Sequence, residues 1–296
     1  MTAKKYKLIA NPAAGRGKAS SVVHRAVKAF KSRGLLFDLE HTQGPCDAAN
    51  IARRSSGDFD VIVAIGGDGT VNEIVPGMLS SGKPLAIIPG GTGNDFIKTL
   101  RIPNNVEQAM DIIVRGSTRM IDVGRINGFC FVNAVGFGFD AAVNQATRMI
   151  NHSKQGLLLY LRGLIKTLGK YDPVPLKITM NGNTFDQETF LLAIGNGTTV
   201  GGGFKLTPHA KIDDQLLDVT IVKPLGLPAL LFHLPKVFRG TFDKVKYAAL
   251  QRTERLVVET RGPVPIHIDG EIYSGEETRF TIEVVPRALM MIDNLP

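Results

Sequence analysis

Tryptophan is absent from this chain of 296 residues, and cysteine occurs only twice. Cys46 and Cys130 lie far apart and form no Cys-x-x-Cys pair. That excludes a disulfide framework and a thiolate zinc site, and it fits a reducing cytosol. The six histidines show no metal-ligand spacing. No Gly-x-Ser-x-Gly is present, so acyl hydrolysis lacks its nucleophile elbow. No apolar run approaches the roughly 18–20 residues that span a bilayer. Met1–Lys7 is polar, and Tyr6–Ala10 is too short for the core of a signal peptide. The expectation is a cytoplasmic protein, soluble or peripheral to a membrane. Low-complexity tracts are missing too; at 44% hydrophobic and 21% charged the chain has the composition of a globular protein with ample core. The length suggests about two domains. A net charge of +8 favours an anionic partner: nucleotide, phospholipid surface or nucleic acid. The basic residues are scattered and no recognisable nucleic-acid module is present, so nucleic acid is set aside.

What the sequence does have is glycine at the ends of apolar runs. Val61–Ile65 is followed by Gly66-Gly67-Asp68-Gly69-Thr70-Val71-Asn72-Glu73, with Asn72–Val75 reading as a first helical turn. Leu85–Ile88 is followed by Pro89-Gly90-Gly91-Thr92-Gly93-Asn94-Asp95-Phe96. Tyr6–Ala10 is followed by Asn11-Pro12-Ala13-Ala14-Gly15-Arg16-Gly17. A strand, a glycine turn and a helix start make a place for phosphate, because glycine lets the backbone approach an anion and free N–H groups point at it. Asp68 sets the first of these turns apart. A carboxylate among phosphate-binding amides requires an intervening metal ion, or a proton to accept from an attacking hydroxyl. The combination points to nucleotide, Mg²⁺ and phosphoryl transfer. In an open parallel sheet all three loops would line one crevice.

The first part of the chain alternates strand and helix signals: strands at Tyr6–Ala10, Phe37–His41, Asp60–Ile65, Leu85–Ile88 and Met120–Val123, and helices at Lys18–Ser32, Asp47–Arg53 and Val106–Val114. This pattern predicts an α/β layered domain over residues 1–125. Strand signals then dominate: Phe129–Val135, Leu176–Met180, Thr189–Ile194, Leu217–Val222, Leu256–Glu259, Val264–Ile268 and Phe280–Val285. They predict a mainly antiparallel, β-rich domain over residues 126–285 with a few helices. Such a domain offers an edge for a homodimer. Gly156–Lys170 reads as a helix with Leu157, Leu161, Leu164, Ile165 and Leu168 on one face and Arg162, Lys166 and Lys170 on the other. That cationic face is either solvated or set against anionic headgroups. Leu225–Leu234, broken by prolines, reads as a short or kinked helix.

The ordered motifs Asn11-Pro12 with Gly15, Gly66–Thr70 and Pro89–Asp95 resemble the diacylglycerol kinase catalytic-domain family, and the soluble bacterial lipid kinases within it. The resemblance continues through Asp122-Val123-Gly124, Gly195-Asn196-Gly197, Gly201–Gly203, Ala210–Asp214 and Asp269-Gly270-Glu271. It implies two domains with an active-site cleft between them and a C-terminal tail, residues 286–296, packing back on the first. It implies ATP and Mg²⁺ as cofactors and a lipid acceptor reached at an anionic membrane surface, peripheral to the inner face of the membrane. By resemblance the nucleotide residues are Asn11, Pro12, Ala13, Ala14, Gly15, Thr42, Gly66, Gly67, Asp68, Gly69, Thr70, Val71, Asn72 and Thr92. Asp68 is the metal-linked or water-linked carboxylate, and Asp95 is either a second acid or a helix cap. Glu271 is the implied base for the lipid hydroxyl, with Asp122 a supporting acid or only the end of a strand. A glutamate is a weak base for an alcohol, so the mechanism also needs Mg²⁺ and stabilisation of transition-state charge. Lys211–Leu216 resembles a structural Mg²⁺ loop: Asp214 with the carbonyls of Lys211 and Leu216 would bind the ion, which suits oxygen ligands. Gln215 stands where that loop usually has glycine. NAD kinase, which shares the Gly-Gly-Asp-Gly-Thr turn, a kinase for sphingoid or other lipids, and a non-catalytic lipid- or nucleotide-binding regulator are the alternative readings.

Overall fold

The computed structural model describes residues 4–14, 19–149, 167 and 171–295. The chain forms two compact units, Met1–Asp122 with Pro286–Pro296, and Val123–Val285.

The first unit is built on four parallel strands: β1 (Lys5–Ala10), β2 (Leu36–His41), β3 (Val61–Gly66) and β4 (Leu85–Pro89), in the order β2-β1-β3-β4. Every residue of β3 and β4 is buried, which is why both read as unbroken apolar runs. Helices α1 (Ala19–Ser32), α2 (Asp47–Ser55), α3 (Asp68–Met78), α4 (Phe96–Thr99) and α5 (Val106–Arg115) connect and cover them, α1 against α5 and α2 against α3. Leu8, Ile9, Phe30, Ile51, Ile62, Ile65, Ile74 and Met78 are among the largest fully buried side chains. Asn105 starts α5 by accepting from the amides of Glu107 (2.9 Å) and Gln108 (3.2 Å), and Gly116 ends it in the left-handed region. Helix α3 begins at Asp68, four residues before the turn that the sequence suggests. Gly67 is extended and its carbonyl already accepts from Val71 N (3.1 Å), so the aspartate is the first helical residue, where the helix dipole favours negative charge.

Strand β5 (Thr118–Ile126) passes from the first unit into the second. The second unit holds β6 (Phe129–Phe131), β7 (Ala134–Gly138), α6 (Phe139–Met149), β8 (Val174–Met180), β9 (Asn183–Thr189), β10 (Leu191–Gly195), β11 (Leu217–Val222), α7 (Leu227–Arg239), β12 (Ala248–Thr253), β13 (Arg255–Thr260), β14 (Ile266–Ile268) and β15 (Glu271–Ile272). One antiparallel sheet runs β12-β11-β10-β7-β14-β15. A second antiparallel group joins β9, β8 and β13 to the start of β16 (Arg279–Ile292). Both groups feed one core, in which Phe137 meets Phe280 edge-on with centroids 5.3 Å apart. The last residues of β16 belong to the first unit, where Met291 lies beside Leu85.

Two single strands expected from the sequence are each broken in two. Phe129–Val135 is β6 and β7, because the amides of residues 132–134 are diverted to the side chain of Asp269. Thr189–Ile194 falls on β9 and β10, which pair in different sheets on either side of Phe190. Helix α6 and strand β12 have no counterpart in the sequence expectations. The expected helix Gly156–Lys170, with Arg162, Lys166 and Lys170, lies outside the described residues apart from Thr167.

Candidate active site

Parallel register places the carboxyl ends of the four strands in a row: Ala10 is level with His41 and Ile65, and Ile65 with Ile88. The glycine loops therefore start side by side, as expected at the ends of an open parallel sheet. After β1, the Asn11 side chain accepts from Ala13 N (2.9 Å) and its carbonyl accepts from Ala14 N (3.1 Å), forming a tight turn through Pro12. Gly15 lies outside the described residues. After β2, Thr42 is buried and its amide donates to Ala10 O (2.9 Å).

The loops after β3 and β4 are locked together. Gly90 N donates to Gly66 O (2.8 Å), and a Cβ on Gly91 would stand 2.5 Å from Gly67 Cα. Only glycine at both positions allows this approach. Asp68 closes the joint: its two carboxylate oxygens accept from Asp95 N (3.0 Å) and Phe96 N (2.9 Å). Two of the roughly four lone-pair directions of the carboxylate are used in this way. Asp95 does not cap α4 with its side chain; its carboxylate instead pairs with Lys98 at 2.6 Å, and Asp68 supplies the cap across the loop. Asn94, in the left-handed region, returns hydrogen bonds to both the amide and the carbonyl of Gly91 (3.0 Å each) and reaches Asn104 (3.0 Å). A cavity of about 180 Å³ opens beside this joint, lined by Arg25, Gly90, Gly91, Asn104 and Asn105 among others. The sequence reading gave no role to Arg25 or Asn104, and quoted Asn94 only as part of its motif. The asparagine beside a glycine run was a signal for a left-handed turn residue.

Asp122 is fully buried and accepts from Arg287 N (2.8 Å), while Arg119 pairs with Asp293 (2.9 Å). Both contacts tie the C-terminal residues to β5 and give Asp122 a strand-holding role.

Glu271 is placed by a two-residue hairpin. Ile268 pairs with Glu271, and Asp269 and Gly270 take φ values of +47° and +85° between them. Asp269 is buried and its carboxylate accepts from three amides: Val132 (2.8 Å), Asn133 (2.9 Å) and Ala134 (2.8 Å). Gly270 is held from two further sides. Its amide donates to His267 Nδ1 (3.3 Å), and its carbonyl accepts from Asn144 Nδ2 of α6 (2.5 Å). Because Nδ1 accepts, the proton of a neutral His267 sits on Nε2, which meets Asp140 Oδ2 at 3.0 Å. Both partners are buried, and Gly136 has no room for a Cβ beside them: one would stand 2.0 Å from Asp140 Oδ2. The turn is thus fixed from below by Asp269, His267 and Asn144, while Glu271 itself is exposed.

In the Lys211–Leu216 loop, Gln215 adopts φ +64°, the conformation that a glycine would take without strain. Asp214 Oδ1 accepts from Leu216 N (3.2 Å), and Arg252 lies 3.8 Å from Asp214 and 3.4 Å from Asp218. Asp218 is buried, and its Oδ2 has no hydrogen-bond partner among the described residues. Burial pushes its carboxyl above the usual range, with Arg252 opposing. An orphaned carboxylate oxygen on Asp218, with Asp214 sharing the same Arg252 partner, is a hard-oxygen environment of the kind a divalent cation takes. Among the described residues no three His, Cys, Asp or Glu side chains form a complete metal cluster, so carbonyls and water would have to finish the coordination.

Residues 5–126 match the diacylglycerol kinase catalytic domain, and residues 133–293 match the YegS C-terminal NAD kinase beta sandwich-like domain. A diacylglycerol kinase of Bacillus subtilis (strain 168) is 29% identical over 277 residues, covering 92% of this chain and 91% of that protein. A diacylglycerol kinase of Staphylococcus aureus (strain bovine RF122 / ET3-1) is 30% identical over 276 residues, covering 92% and 87%. The crystal structure of a diacylglycerol kinase from Bacillus anthracis (strain Sterne) superposes with a TM-score of 0.81 at 30% identity, covering 99% of this chain and 98% of that one. With both halves of the chain matched and relatives aligned along nearly its whole length, the chain belongs to the diacylglycerol kinase family and is a lipid kinase.

Proposed function

We propose that the protein transfers the γ-phosphoryl group of Mg²⁺-bound ATP to the free hydroxyl of diacylglycerol. The observation that carries this reading is the joint between the two glycine loops, closed by the Asp68 carboxylate on Asp95 N and Phe96 N. A carboxylate fixed within a set of glycine-loop amides is suited to polyphosphate that arrives with a divalent cation. Asn11–Ala14, Thr42, Gly66–Asn72 and Thr92 position the nucleotide. The acceptor oxygen attacks the γ-phosphorus, the bond to the β–γ bridging oxygen breaks, ADP leaves with the electron pair, and the hydroxyl proton passes to Glu271. A divalent ion bound with the nucleotide would neutralise charge on the transferred group. A separate Mg²⁺ held by Asp214 and the carbonyls of Lys211 and Leu216 would stabilise its loop. Among the described residues no helix is long and apolar enough to cross a membrane, so the lipid has to be met at the bilayer surface, for which the net charge of +8 supplies attraction.

The test is a transfer assay with labelled ATP and Mg²⁺ across diacylglycerol, monoacylglycerol, sphingosine, ceramide and NAD. Label is expected in phosphatidic acid. Label confined to NADP, or to a sphingoid phosphate, would overturn the choice of acceptor.

A further inference from the structure

Helix α7 is apolar on the side that faces water. A surface helix normally turns its apolar stripe inward and its polar face outward. In α7, Leu230, Leu234, Val237 and Phe238 pack inward on a core cluster of the second unit, with the Phe238 ring 4.4 Å from that of Phe204. The outward side carries Leu227, Leu231 and Phe232, which are 47%, 47% and 72% exposed. Pro228 and Pro235 lie on the same outward side. None of the thirteen residues of the helix is fully buried, and none is acidic.

The segment that carries this patch is rich in cations. Residues 223–247 contain Lys223, Lys236, Arg239, Lys244 and Lys246 against the single acid Asp243. Lys236 Nζ sits 5.6 Å from the centroid of the Phe232 ring, and Lys246 Nζ sits 5.0 Å from that of Tyr247. Long basic side chains laid along aromatic rings keep their apolar stems against the patch and their charges at its margin. Thirteen residues make a helix of about 20 Å, too short to cross a hydrocarbon core of about 30 Å. An apolar outer face on a helix without acids, in a segment where cations outnumber acids, fits a helix lying in the interface of an anionic bilayer.

We propose that α7 is the membrane-docking element of this enzyme: Leu227, Leu231 and Phe232 enter the acyl boundary while Lys236, Arg239 and their neighbours meet anionic headgroups. This rests on the proposed acceptor being a bilayer lipid. It adds an apolar, salt-resistant component to an attraction that charge alone would lose at high ionic strength.

The absence of tryptophan provides the probe. F232W introduces a single indole on the outward face, and L231S/F232S removes the patch at exposed positions. On vesicles of phosphatidylglycerol and phosphatidylcholine, the F232W emission is expected to shift to the blue and to be quenched by lipids brominated on their acyl chains. L231S/F232S is expected to bind these vesicles at least tenfold more weakly than wild type. Wild type should keep part of its binding at 0.5 M salt, and the variant none. Turnover of a short-chain, water-soluble diacylglycerol should be the same for both. Vesicle binding of L231S/F232S equal to wild type, or F232W emission unchanged while the protein sediments with vesicles, would overturn the docking role. So would light scattering that shows a dimer in wild type and a monomer in L231S/F232S, since α7 would then cover a second copy. A protein that binds vesicles through α7 yet leaves short-chain diacylglycerol untouched would sink the substrate assignment and keep the docking role.

Discussion

Replacing Asp269 separates the residue that builds the Asp269-Gly270 turn from Glu271, to which the proposed mechanism gives the base role. The Asp269 carboxylate accepts from three buried amides at 2.8–2.9 Å. In D269A the N–H groups of Val132, Asn133 and Ala134 all lose their acceptor. An orphaned buried donor costs about 1–3 kcal/mol, so the sum is about 3–9 kcal/mol, and partial entry of water brings the expected loss to about 3–5 kcal/mol. Against a typical domain stability of about 5–15 kcal/mol, that is a large fraction. In D269N the oxygen that takes Asn133 and Ala134 can survive, but the Val132 amide then faces an NH₂ group; the expected loss is about 2 kcal/mol. The assay is hydrogen exchange read on peptides covering residues 129–138. A loss of about 3 kcal/mol corresponds to exchange roughly 100-fold faster in D269A. Exposed Glu271 supplies the contrast. E271Q should leave exchange and urea stability within about 0.5 kcal/mol of wild type and should abolish turnover. D269A exchange at residues 132–134 within threefold of wild type would refute the assignment of those amides to this carboxylate.

Asp68→Ala is expected to abolish lipid phosphorylation and to raise exchange at residues 93–97, because Asp95 N and Phe96 N lose their acceptor; wild-type turnover by the variant would remove Asp68 from the mechanism. In wild type, Mg²⁺ should raise thermal stability by the linkage relation, about 2.7 kcal/mol at one hundred times its dissociation constant; Asp214→Ala should erase that gain, and an unchanged Mg²⁺ dependence would make the loop a plain acidic turn. Burial raises the folded-state carboxyl of Asp218 above its unfolded value, so the native state holds the proton more tightly, and without divalent ions stability should fall as pH rises from the unfolded carboxylate range through the folded value. Asp218→Asn should flatten that slope in calorimetric scans taken across pH, and an identical slope in the variant would deny Asp218 the titration.

The sequence by itself determined the layered α/β first half and the β-rich second half. Val61–Ile65 and Leu85–Ile88 are legible because strands covered on both faces must be apolar throughout. The glycine loops are legible because a backbone that must approach phosphate, or another loop, admits no side chain. The family resemblance was carried by the same residues. The tertiary structure decided what polar side chains do across long separations. Asp68 reaches an amide 28 residues away, Asp269 reaches amides as many as 137 residues away, and Asp140 meets His267 at a separation of 127. An aspartate that caps a distant loop is spelled the same as one that faces water. The amide it satisfies carries no side-chain identity at all, so neither partner leaves a periodic trace. That is why the break between β6 and β7 was hidden, and why the sequence left Asp122 open between a supporting acid and the end of a strand, while its contact with Arg287 N is visible only in the fold. The outward face of α7 was hidden for a related reason. Leu227, Leu231 and Phe232 have the composition of a core, and only burial, which depends on everything packed around them, shows that they face outward.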